Sequence, residues 1–535
     1  MEWRMAPPGM AEAAGTVVAG LVAGGHEAYF VGGCLRDELL GRPVHDIDIT
    51  TSALPEEVMS LFPRCVPTGL AHGTITVLQE GYSLEVTTYR TESGYADHRR
   101  PEHVVFVRDV REDLRRRDFT INAICCGLDG GRIDPFGGER DLKLRVIRCV
   151  GEAEERFEED ALRMLRCVRF ASVLDFAIAK NTWRGLLRQR DKLAHIAVER
   201  VRAEVERILE GPHPQRGLGL LLRSGLLPRG KAPFPWTGRD LAAAAARLAG
   251  LGNLESARLR WALLLHALGS SAQCADELLR AWTFPGATRT GVVAVLRVRE
   301  AWDAALSSAR PQASGAGERL RRRWIAAVLG HGQSAAEGWL TLLEAAGPDA
   351  ASAVGAGARG PAAGVPVTAA VAPATAEDVP AADAGAPARS AGVPATAPVA
   401  PATAEDVPAA DAGAPARSAG VPATAPVAPA TTEDVPAADA GAPARSAGVP
   451  DAPTMASSIP PVTTRLLRSW TAEMPIRTLA ELAVSGHEVT AALEKRPGPW
   501  LGVLLNQLLL AVAAGDLAND NQLLLQAAQR MDRDE

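Results

Sequence analysis

The sequence predicts an α+β protein, a small sheet-and-helix unit in front of an all-helical remainder, and three features carry that reading. Up to about residue 150 short apolar runs alternate with turn residues. From 155 to 346 the apolar residues fall at helical spacing, and between 348 and 462 a low-complexity repeat interrupts the helices. In the front unit, 28–31, 47–50, 73–78, 84–89, 104–107 and 132–134 read as strands, with helices near 11–23, 33–40 and 54–61. After the repeat, 463–532 is again helical, and Lys495-Arg-Pro-Gly-Pro-Trp500 forms a turn between helices. The chain therefore divides into 1–150, 151–230, 231–347, 348–462 and 463–535.

The repeat is read from composition. Glu-Asp-Val recurs at 377, 405 and 433, a period of 28, among Ala, Pro, Val, Gly, Ser and Thr. A stacked solenoid needs larger apolar residues than Ala and Val, so a disordered or polyproline-like spacer is expected. The spacer holds eleven acids and four arginines, so its share of the net charge of −6 is −7 and the rest of the chain stands at +1. Basic patches must therefore be judged locally. Seven cysteines without a CxxC spacing suit a reducing compartment. Neither a leader pattern nor a run of some 18 apolar residues is visible, which predicts a soluble, cytoplasmic protein.

The chemistry concentrates near the start. Val31-Gly-Gly-Cys-Leu-Arg-Asp37 reads as a strand turning at Gly32 and Gly33 into a helix, where backbone N–H groups favour a phosphate. Asp46-Ile-Asp48 follows. On a strand, i and i+2 project from one face, so Asp46 and Asp48 share a side while Ile47 and Ile49 face the core. Two carboxylates this close repel unless a cation lies between them, and Mg²⁺ bound by carboxylates and substrate phosphates is such a cation. Either half of the motif alone is common; the two together point to metal-assisted phosphoryl transfer.

Later segments agree. Gly69-Leu-Ala-His-Gly-Thr74 is a tight turn into a strand, and Glu85 lies mid-strand, within reach of the same metal or on an open edge. Residues 90–101 form a polar loop, with Gly94 as a hinge, long enough to act as a lid. Arg115-Arg-Arg-Asp-Phe-Thr-Ile-Asn-Ala123 places three arginines before an expected helix, a solvated basic face or a triphosphate contact.

Residues 158–170, Glu-Glu-Asp-Ala-Leu-Arg-Met-Leu-Arg-Cys-Val-Arg-Phe, read as one helix with Asp160, Arg163, Arg166 and Arg169 on a common arc. The plain account is a surface ion pair. The functional one rests on base edges: a carboxylate accepts and a guanidinium donates. Together they match the amino donor and ring-nitrogen acceptor shared by cytosine and adenine, and mismatch uracil and guanine.

These motifs, in this order over residues 28–230, resemble the class II nucleotidyltransferases: CCA-adding enzymes that finish the tRNA 3′ end, and bacterial poly(A) polymerases. The stretch Leu479-Ala-Glu-Leu-Ala-Val-Ser-Gly-His-Glu488 with Gly498-Pro-Trp-Leu-Gly502 is similar to the tail of the Bacillus-type enzymes. The resemblance implies a nucleotidyltransferase head with a small mixed sheet (1–150), a helical neck with the base-selecting helix (151–230), a body (231–347) and a tail (463–535). It implies tRNA, CTP and ATP as partners, Mg²⁺ on Asp46 and Asp48, and a nucleotide pocket of Gly33, Arg36, Arg116, Arg117, Asp118 and Asn122. Glu159, Asp160 and Arg163 would form the base-reading template, Arg166 and Arg169 would also contact the nucleotide, and Ala197–Arg202 would fall in the neck. Cys34 and Leu35 stand where the family usually has valine, and the spacer is foreign to the family pattern. CC-adding relatives typically lack the 90–101 loop, so its presence argues against CC-only activity. A-adding enzymes, poly(A) polymerases and a catalytically silent RNA-binding protein remain the competing readings.

Overall fold

Residues 1–94, 103–232, 234–308, 315–346 and 462–533 are described by the computed structural model. Most of the 90–101 lid and the 348–462 spacer lie outside them. The first helix, Pro8–Ala23, opens on a proline and buries Met10, Ala13, Ala14, Val17, Val18 and Leu21, a single apolar stripe at helical spacing. That stripe covers a seven-stranded mixed sheet built from β1 (Ala28–Val31), β2 (Ile49–Thr51), β3 (Cys65–Gly69), β4 (Thr74–Gln79), β5 (Tyr82–Thr88), β8 (Cys125–Cys126) and β9 (Arg132–Ile133). Their order across the sheet is β3-β4-β5-β2-β1-β8-β9. A separate hairpin pairs β6 (Arg90–Ser93) with β7 (His103–Phe106), and β10 (Val146–Ile147) pairs with β11 (Ala177–Ile178). β2 runs parallel to β5 and antiparallel to β1, which places the end of β1 and the approach to β2 side by side.

Three expectations are corrected. Asp46 and Asp48 precede β2, which begins only at Ile49. The alternation nevertheless persists through them, because Val31 N still donates to Asp48 O at 3.0 Å and Ile47 and Ile49 are buried. The helix expected after Arg115–Arg117 is a single 3₁₀ turn, Thr120–Asn122. Backbone bonds from Thr120 N to Arg148 O and from Val150 N to Asp118 O commit this stretch to a β-bridge between Phe119 and Cys149. The arginines instead close an upstream helix, Val110–Arg115, capped by Asp109. Finally, the helix expected over 158–170 is broken. Ala153–Glu159 ends at an extended Asp160 (φ −137°, ψ 103°), whose Oδ1 accepts from Leu162 N at 3.0 Å and starts a second helix, Leu162–Val173.

Helices Val198–Glu210 and Pro214–Ser224 pack on Leu162–Val173. Gly217 is needed there: a Cβ would stand 2.2 Å from the Ile208 side chain. Behind them, the helices from Ala257 to Ala346 close around fully buried Trp261, Trp282, Trp324 and Trp339. The tail docks on this body. Trp324 Nε1 donates to Leu467 O (3.0 Å) and Thr471 Oγ1 (2.9 Å), and Arg468 clasps Glu337 and Glu344. Among the described residues no helix is long and apolar enough to cross a membrane.

Candidate active site

A cleft of about 490 Å³ opens where the end of β1, the approach to β2, the 3₁₀ turn and the helix Leu162–Val173 converge. Of the residues singled out in the sequence, Gly33, Arg36, Asp46, Asp48, Arg116, Arg117, Asp118, Asn122, Asp160, Arg163 and Arg166 line it. Glu159 and Arg169 are not among its lining residues. Glu159 Oε2 takes Arg163 Nη1 at 2.6 Å, and Arg169 Nε donates to the nearly buried Glu204 at 2.6 Å. Gly32, Leu162, Phe170 and Arg200 also line the cleft. Gly32 has a backbone reason to be glycine: its φ is 84°, and a Cβ would meet Arg117 Nη1 at 2.9 Å.

At one end stand the acids. Asp46 is exposed, Asp48 half-buried, and both face the cleft while the isoleucines between and after them are buried. The parallel register of Ile49 with Val86 sets Glu85 beside Asp48, so the strand partner adds a third carboxylate to that neighbourhood. Burial first, then Asp46 and Glu85, push the Asp48 carboxyl up to about 6 against the opposing pull of Arg117. Negative charge is thus under-compensated here, and this donor set fits a divalent cation completed by substrate oxygens. Glu85 is not part of the cleft lining. Among the described residues no group of three or more His, Cys, Asp or Glu stands at metal-ligating geometry.

The middle of the cleft is cationic. Arg36 Nη1 donates to Asn122 Oδ1 at 2.6 Å, and its other nitrogens are held by Asp37. Asp118 accepts from Asn122 Nδ2 (3.0 Å), its own neighbour's N–H at Phe119 (2.8 Å) and Arg166 Nε (2.8 Å). Its burial alone would raise the carboxyl. Arg166, with the Asn122 hydrogen bond, overrides that and holds Asp118 down at about 2. Phe170 forms a floor beneath three guanidiniums, with Arg36, Arg166 and Arg169 at 4.9, 5.3 and 4.2 Å from the ring centroid.

At the far end Asp160 and Arg163 offer the acceptor and donor that a base edge needs. Arg163 Nη1 is spent on Glu159 and Arg156 O, and one Nη2 hydrogen on Arg116 O. Two of its N–H groups stay available. Asp160 is steadied by Leu162 N and by Arg200 Nη2 at 3.2 Å. Arg200 comes from the 197–202 segment, which the sequence assigned only to the neck; its partner lies 40 residues away, which no local pattern reveals.

Comparison with known proteins gives this cleft its context. Residues 28–148 match the Poly A polymerase head domain, 175–229 the RNA and SrmB-binding site of polymerase A, and 459–528 a tRNA nucleotidyltransferase domain 2. The CCA-adding enzyme of Geobacillus stearothermophilus is 48% identical over 56% of this chain and 74% of its own. That of Lactiplantibacillus plantarum is 42% identical over 62% of this chain and 81% of its own. The chain belongs to the CCA-adding enzyme family. The relative from Geobacillus thermodenitrificans is 51% identical, and there the match spans 63% of the relative's length. In three dimensions the chain resembles the Bacillus stearothermophilus CCA-adding enzyme in complex with CTP, with a TM-score of 0.65 and 31% identity over 98% of both chains. The mixed-sheet head and helical remainder expected of a Bacillus-type CCA-adding enzyme are therefore present. CCA-adding enzymes are tRNA nucleotidyltransferases and, as a family, generally metal-dependent.

Proposed function

We propose that this chain adds C, C and A to the 3′ end of tRNA from CTP and ATP, releasing pyrophosphate, with no nucleic-acid template. The observation that carries the reading is the single cleft that gathers a carboxylate pair, a bank of arginines and an Asp160/Arg163 acceptor–donor pair in that order. Asp46 and Asp48 would hold Mg²⁺, which when bound supplies charge neutralisation at the triphosphate and acidifies the attacking hydroxyl. Arg116 and Arg117 neutralise the triphosphate beside that pair. Asp118 and Asn122, locked to each other and to Arg166 and Arg36, give the nucleoside a rigid wall. Asp160 accepts from the amino group and Arg163 donates to the ring nitrogen of C or A. The tRNA 3′-hydroxyl attacks the α-phosphorus in line, and the bond to pyrophosphate breaks. The helical neck, body and tail would serve as the 151–230, 231–347 and 463–535 tRNA-holding units, and seven free cysteines, five of them buried, support a cytoplasmic setting.

The test is incorporation of labelled CTP and ATP, separately and together, into tRNA ending at the discriminator base or at CC. Three added nucleotides are expected, and Asp46→Ala should reduce the rate by about 10³-fold or more. Addition of A alone, long heterogeneous A tails, or no pyrophosphate release would favour an A-adding enzyme, a poly(A) polymerase or an RNA-binding protein respectively.

A further inference from the structure

Asp113 does not line the cleft, yet two of the cleft's arginines lean on it. It lies in the helix Val110–Arg115 with its side chain fully buried. Oδ1 accepts from Arg116 Nε at 2.9 Å, with Arg116 Nη2 at 2.8 Å, and from the backbone N–H of Arg90 at 3.4 Å. Oδ2 lies 3.2 Å from Thr50 Oγ1, whose single proton it shares with Thr87 O at 3.3 Å, and faces Arg117 Nη2 at 3.5 Å. Thr50 sits on β2, two residues beyond Asp48. One carboxylate thus joins the strand that follows Asp48, the root of the β6–β7 hairpin and both arginines.

The charge arithmetic around it is one-sided. Arg90, Arg116 and Arg117 crowd together, and Asp113 shares with Glu92, which takes Arg116 Nη1 at 3.1 Å and Arg90 Nε at 2.8 Å, the work of compensating them. Without Asp113 these like charges would repel, and Arg117 would be drawn toward Asp48, a carboxylate it also acts on. With Asp113 in place, Arg116 keeps two N–H groups unspent and still faces the cleft.

We propose that Asp113 is the positioning residue that sets Arg116 and Arg117 for the triphosphate, by tying them to the strand that continues from Asp48. This rests on the nucleotidyl-transfer reading above. Because the contact it governs is at the phosphates, the effect falls equally on CTP and ATP and spares base choice.

The experiment compares the full-length chain with Asp113→Asn and Thr50→Val, reading kcat and KM for each nucleotide on tRNA substrates. Asp113→Asn should raise KM for CTP and ATP together by roughly 10-fold or more, with the CTP-over-UTP preference unchanged. Thr50→Val, which removes one anchor of the carboxylate, should raise both by roughly 2- to 5-fold. A residue that served stability alone would lower the active fraction, and so kcat, at unchanged KM. A folded Asp113→Asn enzyme with wild-type KM, or with KM raised for one nucleotide only, overturns the proposal. If Asp113→Asn fails to fold, an unchanged KM in Thr50→Val overturns it instead. A wild-type chain that transfers no nucleotide refutes the underlying reading, a result distinct from either.

Discussion

Replacing Asp160 by alanine should loosen base choice while leaving the chemical machinery standing. On the proposed base-reading role, cytosine would give Asp160 an amino donor and Arg163 a ring-nitrogen acceptor, whereas uracil would turn a carbonyl to the carboxylate and an N–H to the guanidinium. Each such mismatch in a desolvated site costs about 1–3 kcal/mol. Two of them would give the wild type a preference for CTP over UTP of roughly 30-fold to 2 × 10⁴-fold. Asp160→Ala removes one of the two, so the preference should fall by about 5- to 150-fold. The variant also loses the hydrogen bonds that Asp160 accepts from Leu162 N and Arg200 Nη2, at a cost of about 1–3 kcal/mol. That loss lowers the folded fraction equally for both nucleotides and cancels in the ratio. The assay is competition between CTP and UTP for one tRNA acceptor, read as the ratio of kcat/KM values. A ratio equal to the wild type's would refute the assignment of Asp160 to base reading.

Two further outcomes are expected. Gly32→Ala forces a Cβ onto a backbone at φ 84° and against Arg117, at a cost of roughly 1–3 kcal/mol. Its melting temperature and its kcat/KM should both fall, and a variant unaltered in either would contradict the local geometry. The second concerns pH. Burial first, then Arg299 and Arg247, lower His266 to about 4. The native state thus keeps it neutral while an unfolded chain protonates it near 6.5. The contribution is therefore whole above pH 6.5 and is lost as pH falls from there toward 4, up to about 2–3 kcal/mol. Urea unfolding at pH 7.5 and 5.0 should show a smaller acid loss in His266→Gln than in the wild type, and equal losses would exclude His266 as the cause.

What could be read from the chain followed from short-range rules. The alternation of Asp46, Ile47, Asp48 and Ile49 and the turn at Gly32 are written in adjacent residues, and Gly32, Asp46 and Asp48 all line one cleft. Residues 8–23 likewise carry their apolar stripe in plain view. What stayed hidden was settled by partners far along the chain. Arg169 looks like a member of the template arc until Glu204, 35 residues on, claims it. Asp113 looks like an ordinary helical acid until the fold brings Thr50 to it across 63 residues. Cys125–Cys126 is too short a strand to show a period, and Cys65–Gly69, holding a proline and three exposed positions, shows none. The break at Asp160 is hidden from the sequence because helical spacing runs straight through it, while the side chain's bond to Leu162 N decides otherwise.

The clasp of Arg468 on Glu337 and Glu344 has a consequence for how this gene could change. Residue 344 and residue 468 are fastened to each other, so whatever the chain does between them, it departs and returns at one spot on the surface. The last helices dock through Trp324, this clasp and the Arg321 and Arg322 contacts to Ala514 and Asp516, all made by residues outside the repeat. Gain or loss of a 28-residue unit therefore leaves the catalytic half and its closing helices in the same register, which makes this a point where the protein can lengthen without renegotiating its fold.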